Sequence, residues 1–292
     1  MSQIIAAVIQ HSMTDNKQHN LAKSVELASE AAQQGANLIV LPELHATPYF
    51  CQVEDTGFFD LAEDIHNGET VTQLSQAASD LGIVIVGSLF ENRNNITYHN
   101  TSVVFDRDGS QAGIYRKMHI PDDPGFYEKF YFTPGDAQTN TGKQGFEPIQ
   151  TSLGKLGVLV CWDQWYPEAA RIMALKGADV LIYPTAIGYD PEDTIEEKTR
   201  QREAWVTIQR SHAVANHLPV LVANRSGFEE NPEHETGIEF WGHSFITGPQ
   251  GELLTPCDDS AETVLLCELN AAKAKHTRQI WPFFRDRRID AY

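Results

Sequence analysis

Residues 4–9 form a short apolar run rich in branched side chains, and residues 16–34 follow with Leu21, Val25, Ala28 and Ala32 at helical spacing. The pattern predicts a strand and then an amphipathic helix. Gly35 stops that helix, residues 38–41 read as a strand buried on both faces, and Pro42 with Glu43 ends it. Residues 69–81 return to helical periodicity and 83–89 to a strand. Residues 101–105 and 112–115 pair across the turn Asp106-Arg107-Asp108-Gly109. The stretch 118–150 is loop-rich.

The second half repeats this order. Gly35-Ala36-Asn37-Leu38-Ile39-Val40-Leu41-Pro42 returns as Gly177-Ala178-Asp179-Val180-Leu181-Ile182-Tyr183-Pro184, an offset of 142. Ser102 and Gly109 correspond to Ser244 and Gly251 at the same offset of 142, and residues 82–86 resemble 218–222. Two halves that each carry one apolar sheet face can bury those faces by stacking sheet on sheet, with helices outside. The expected fold is α/β, a four-layer αββα sandwich with an internal pseudo-two-fold duplication, as one domain over 1–292. A doubly wound single sheet is the competing architecture, and the paired hairpins argue against it. Glu43 maps onto Thr185 and Lys117 onto Asp259. Groups that break a duplication are candidates for chemistry.

Composition narrows the setting. The chain has 292 residues, ample for a core, with 40 acidic against 22 basic side chains and a formal charge of −18. Such a charge disfavours binding to phosphate backbones and attracts small cations, although acidity also serves solubility. Residues 1–9 lack a basic leader followed by a long apolar run, and no later stretch has the apolar length to span a bilayer. The four cysteines (Cys51, Cys161, Cys257, Cys267) show neither disulfide nor metal-knuckle spacing and read as free thiols in a reducing compartment. These features predict a cytoplasmic protein with neither nucleic-acid nor membrane partners.

Three residues stand at strand ends. Cys161 follows the apolar run 157–160 and precedes a helix expected over 166–176, with Pro167 in its first turn. A thiol before a helix start is expected to favour the thiolate; its ordinary reading is a small buried hydrophobe. Glu43 follows Leu41-Pro42, where desolvation would raise a carboxylate toward the range of a general base; otherwise it is a loop acid. Lys117 follows the strand at 114–115, and alone it would be a surface cation. Together an acid, a cation and a thiol divide the labour of acyl transfer. A metallohydrolase is a poorer reading, because His212 and His217 are five apart and no His-Glu-x-x-His occurs. A redox thiol enzyme lacks a resolving cysteine at short spacing.

Leu-Pro-Glu at 41–43, Tyr-Arg-Lys-x-His at 115–119 and Val-Cys-Trp-Asp at 160–163, in this order, resemble the Glu-Lys-Cys triad of the nitrilase, or carbon–nitrogen hydrolase, superfamily. The resemblance extends over 128–135, over 184–188 and into the tail at Arg285-Asp286-Arg287-Arg288, Asp290 and Tyr292. It implies Cys161 as nucleophile, Glu43 as base, and Lys117 with the Trp162 backbone N–H at the oxyanion. It places a second glutamate at Glu128, and it implies a homo-oligomer with neither cofactor nor metal. The segment Cys161-Trp162-Asp163-Gln164-Trp165 resembles that of N-carbamoylputrescine amidohydrolases, which implies a small cationic carbamoyl substrate. Relatives acting on carbamoyl acids carry arginine where this chain has Gln164, which argues against a substrate carboxylate. Arg171, Arg200 and Arg202 are the other possible sources of positive charge. A β-ureidopropionase is the alternative enzyme, a simple amidase or nitrilase the third, and a silent scaffold the non-enzymatic reading. Asp122, Asp123, Tyr49, Asp163, Glu192 and Asp193 are candidates to receive the ammonium.

Overall fold

A computed structural model describes residues 3–137, 145–256 and 262–291. Cys257, Asp259 and Tyr292 lie outside them, and so does the correspondence of Lys117 with Asp259. The first half runs β1 (Ile4–Gln10), α1 (Lys17–Gln33), β2 (Leu38–Val40), α2 (Glu69–Leu81), β3 (Val84–Asn92), β4 (Tyr98–Phe105) and β5 (Gln111–Arg116). Asn16 caps α1 by accepting from the His19 N–H at 3.0 Å, which satisfies one of the free donors of the first turn. A short helix, α3 (Glu128–Tyr131), then interrupts the loop that leads to β6 (Ile149–Thr151).

The second half follows as β7 (Gly154–Val158), α4 (Pro167–Leu175), β8 (Val180–Thr185), β9 (Gly188–Tyr189), α5 (Ile195–Asn216) and β10 (Val220–Asn224). It continues through β11 (Ser226–Glu230), β12 (Gly237–Trp241), β13 (Phe245–Thr247), β14 (Leu253–Pro256), β15 (Thr263–Leu269) and α6 (Ala271–Ile280).

The repeat seen in the sequence is a repeat of topology. One six-stranded sheet has the order β15-β1-β2-β3-β4-β5 and the other β14-β13-β10-β8-β7-β6. In each, three neighbouring strands are parallel (β1, β2, β3 and β7, β8, β10), and an antiparallel hairpin and one antiparallel edge strand complete the sheet. Gly109 and Gly251 sit at equivalent hairpin turns with φ of 81° and 75°, a region that glycine adopts without penalty. A single doubly wound sheet is thereby excluded. One departure is a third sheet, β11-β12-β9, which no strong periodicity announces because β9 is two residues long and β11 holds glycine and two glutamates.

Strand alternation divides the faces of the first sheet. Ala7, Ile9, Ile39 and Ile85 pack with Leu27, Ala28 and Ala31 of α1 and Leu74, Ala77 and Ala78 of α2. Ala6, Val8, Leu38, Val40, Val84 and Val86 instead share a core with Leu156, Val158, Val180, Ile182, Val220 and Val222 of the second sheet. The same core takes in Ala170 and Met173 of α4 and Trp205 and Ala213 of α5. The result is a mixed α/β structure with sheets flanked by helices. Glu43 and its duplicate Thr185 meet, the Glu43 N–H donating to Thr185 O at 3.3 Å. The two halves therefore touch where the first candidate residue stands.

Candidate active site

Glu43 leaves the end of β2 after Leu41-Pro42 and is fully buried. Its Oε1 accepts from Asn100 Nδ2 at 2.7 Å and from Lys117 Nζ at 2.8 Å, while Oε2 has no hydrogen-bond partner. Lys117 follows β5, is 1% exposed, and also reaches Glu128 Oε1 at 2.9 Å and Oε2 at 2.7 Å. Glu128 opens α3 and accepts from Tyr49 Oη at 2.7 Å. Burial pushes Glu128 up to about 7, although Lys117 pulls against it. Burial by itself would lower Lys117; Glu128 and Glu43 outweigh that and raise it well above its usual range. A buried ammonium between two carboxylates is costly to desolvate and costlier to break, because a lost partner leaves an uncompensated charge.

Cys161 is 4% exposed and follows β7 through Leu159 and Val160. Its φ of 41° lies in the left-handed region, as does that of Leu44 at 49°, directly after Glu43. Strain of this kind persists only where surroundings over-determine the backbone. Asp163, fully buried, supplies part of that determination. Its Oδ2 accepts from Val160 N at 3.0 Å and Tyr115 Oη at 2.8 Å, and its Oδ1 from His119 N at 3.1 Å and His119 Nδ1 at 2.6 Å. The His119 ring stacks on Tyr166 at 3.7 Å. The turn that carries Cys161 is thus tied to the strand end that carries Lys117.

A cavity of about 400 Å³ opens over Cys161, walled by Trp162, Trp165, Ile187 and Trp241, with Glu128 also lining it. Asp123, Asp190, Asp193 and Gln201 are its remaining strongly polar lining residues. Asp123 Oδ1 is buried without a partner, and burial raises that carboxyl above its usual range. Asp193 Oδ2 accepts from Gln201 Nε2 at 2.9 Å.

A family model described as carbon-nitrogen hydrolase matches residues 5–279. The chain belongs to the carbon–nitrogen hydrolase family. Among its relatives is the N-carbamoylputrescine amidase of Arabidopsis thaliana, 42% identical over 292 residues, with 99% of this chain and 94% of the relative covered. The citrullinase of Francisella tularensis is 40% identical over 292 residues, covering 100% of this chain and 98% of the relative. A crystal structure of a carbon-nitrogen hydrolase from Helicobacter pylori superposes with a TM-score of 0.93 at 51% identity, covering 99% and 97% of the two chains.

Within this carbon–nitrogen hydrolase, Glu43, Lys117 and Glu128 meet in one hydrogen-bonded cluster, and Cys161, Trp162 and Glu128 line one cavity. The shift at the thiol runs against the expected thiolate. Burial, then the charge of Glu43, pushes the Cys161 thiol well above its usual range. The α-helix begins at Pro167 as expected, but a 3-10 turn over Cys161–Trp165 stands between its start and the thiol. Gln164 does not line the cavity either. It is fully buried, its Oε1 accepting from Trp205 Nε1 at 2.8 Å.

Of the ammonium candidates, Asp123 and Asp193 line the cavity. Asp163 is occupied as described, Tyr49 donates to Glu128, Asp122 pairs with Lys129 at 3.7 Å, and Glu192 lines a neighbouring cavity. Arg171 donates to Ala215 O at 2.8 Å, Arg200 pairs with Glu197, and Arg202 donates to His243 Nε2 at 3.1 Å; none lines the cavity over Cys161. His212 and His217 donate to Gln164 O and Trp281 O, at 2.8 and 2.9 Å. Sequence reasoning missed Asp190, Asn100, Arg225 and Glu229. Only position after a strand end marks Arg225, and that signal is weak.

Proposed function

We propose that this chain hydrolyses N-carbamoylputrescine to putrescine, carbon dioxide and ammonia. The observation that carries the substrate is the lining of the catalytic cavity, which holds Asp123, Asp190 and Asp193 and, among the described residues, neither arginine nor lysine. An ammonium at the far end of a carbamoyl substrate gains from such a wall, whereas a carboxylate there meets like charge in a partly desolvated space. Trp162, Trp165 and Trp241 suit the four-carbon linker. The names of the plant relatives support the same reading, and the citrullinase supplies the nearest competitor, a ureido compound bearing a carboxylate beside its ammonium.

In the proposed chemistry Glu43 Oε2 takes the Cys161 proton while Sγ attacks the carbamoyl carbon. A raised thiol makes that base necessary rather than optional. Lys117, which engages Glu128 twice, turns one N–H to the oxyanion beside the Trp162 backbone N–H. Such donors are typically worth about 3 kcal/mol each. Glu43 passes its proton to the departing amine, leaving carbamoyl on sulfur. Water, deprotonated by Glu43, releases carbamate, which breaks down to carbon dioxide and ammonia. We read 1–292 as one domain of a cytoplasmic homo-oligomer; free Cys51, Cys161 and Cys267 and exposed Trp281 and Phe283 support this.

The test compares kcat/KM for N-carbamoylputrescine, citrulline, N-carbamoyl-β-alanine and neutral butylurea. The amine is expected to exceed the β-alanine compound by roughly 100-fold or more, about 3 kcal/mol. Asp123→Asn should raise KM for the amine and leave butylurea unaffected, and Cys161→Ala should abolish turnover of all four. Equal or better hydrolysis of either acid would replace this substrate with that one.

A further inference from the structure

We infer that Arg225 and Glu229 are positioning residues for Glu43, forming a strut that holds the proposed base in register with the thiol; the inference rests on Glu43 being that base. Arg225 follows β10 and is fully buried. Its Nη2 donates to Glu43 O at 2.8 Å and Leu44 O at 3.1 Å, and its Nη1 to Thr47 O at 3.3 Å and Glu229 Oε1 at 2.6 Å. The guanidinium also lies over the Phe240 ring, 5.1 Å from its centroid. One nitrogen of the planar fork thus grips the two carbonyls on either side of the strained Leu44 α-carbon, while the other takes Thr47 O and Glu229 Oε1.

The contacts close into a ring. Glu229 Oε2 accepts from Tyr49 N at 2.5 Å, Tyr49 Oη donates to Glu128 Oε1 at 2.7 Å, and Lys117 joins Glu128 to Glu43. Glu43 is therefore held at its carbonyl by Arg225, at its N–H by Thr185 O and at Oε1 by Lys117 and Asn100, with Oε2 left free. A left-handed residue relaxes toward ordinary backbone angles once its surroundings stop over-determining it. Relaxation at Leu44 would rotate the neighbouring Glu43. The guanidinium serves four acceptors from two nitrogens; a lysine ammonium, with three donors on one nitrogen, cannot serve all four.

The experiment measures kcat and KM on the best carbamoyl substrate, together with the rate of Cys161 alkylation by iodoacetamide, in Arg225→Lys and Glu229→Gln. Circular dichroism and thermal melting establish that each variant is folded. Both kcat and the alkylation rate are expected to fall about 100-fold, the scale of a misplacement of about 1 Å, with KM within about threefold of the parent. A general loss of structure would not produce that division. Should Arg225→Lys fail to fold, the isosteric Glu229→Gln decides. Glu43→Gln, run alongside, separates the two readings. Unchanged alkylation there overturns Glu43 as base and the strut with it. Slow alkylation in Glu43→Gln but parental rates in folded Glu229→Gln and Arg225→Lys overturns the strut alone, as does a rise confined to KM.

Discussion

Glu128 is subject to two opposed forces. Burial raises its carboxyl from an ordinary 4.5 to about 7, while Lys117 favours the charged form. Below about 7 the group holds a proton, loses its charge on Lys117 and weakens the hold on the ammonium that Glu43 also uses. An acid limb near pH 7 is therefore expected in the profile of kcat/KM, with activity falling toward low pH. Glu128→Gln, fixed in the neutral form, should be slow at every pH and lack that limb. A profile flat from pH 5 to 8 in the parent enzyme would remove Glu128 from the reaction. The sign for stability is opposite. The folded form binds this proton more tightly than the unfolded chain, so the contribution is full below 4.5 and is lost as pH rises through about 7.

At the scale of elements, the site depends on how closely α4 approaches β7. A Cβ on Gly157, four residues before Cys161, would stand 3.0 Å from Leu181 Cδ2, 3.1 Å from Ala178 Cβ and 3.2 Å from Met173 Cβ. Glycine lets helix and strand touch, and β-branching at that point would force both apart. Gly157→Val is expected to cost about 1–3 kcal/mol, read as a lower midpoint in urea. An unchanged midpoint would show that the layer is loosely packed. Element boundaries also explain what the chain alone concealed. The strand, Cys161 and Pro167 were all legible, but the intervening 3-10 turn was not, since it depends on Asp163 reaching His119 and Tyr115 more than forty residues away. Gln164 was legible as a residue and not as a direction.

Over the whole molecule, charge has a place as well as a sum. A second cavity of about 600 Å³ is lined by Glu54, Asp190, Glu192 and Glu233, and it shares Phe126 and Asp190 with the one over Cys161. Cations approaching such a surface are drawn in by a field that salt screens over a Debye length of about 10 Å at 0.1 M. Raising sodium chloride from about 0.02 to 0.5 M is expected to lower kcat/KM for N-carbamoylputrescine several-fold and to leave butylurea level. Parallel profiles for the two substrates would mean that charge does not steer entry.

The chain by itself determined the alternation of strand and helix, the duplication and the order of Glu43, Lys117 and Cys161. Each of these is written in local periodicity or in a residue's place just beyond a strand. Tertiary structure decided what depends on distance in space. Arg225 meets Glu43 across 182 residues, Glu229 meets Tyr49 across 180, and no local pattern encodes such pairs. It also decided the direction in which the thiol is shifted, because desolvation is a property of the assembled core and not of the segment Cys161-Trp162-Asp163. The acids that line the cavity were settled in the same way, by which loops come together over Cys161.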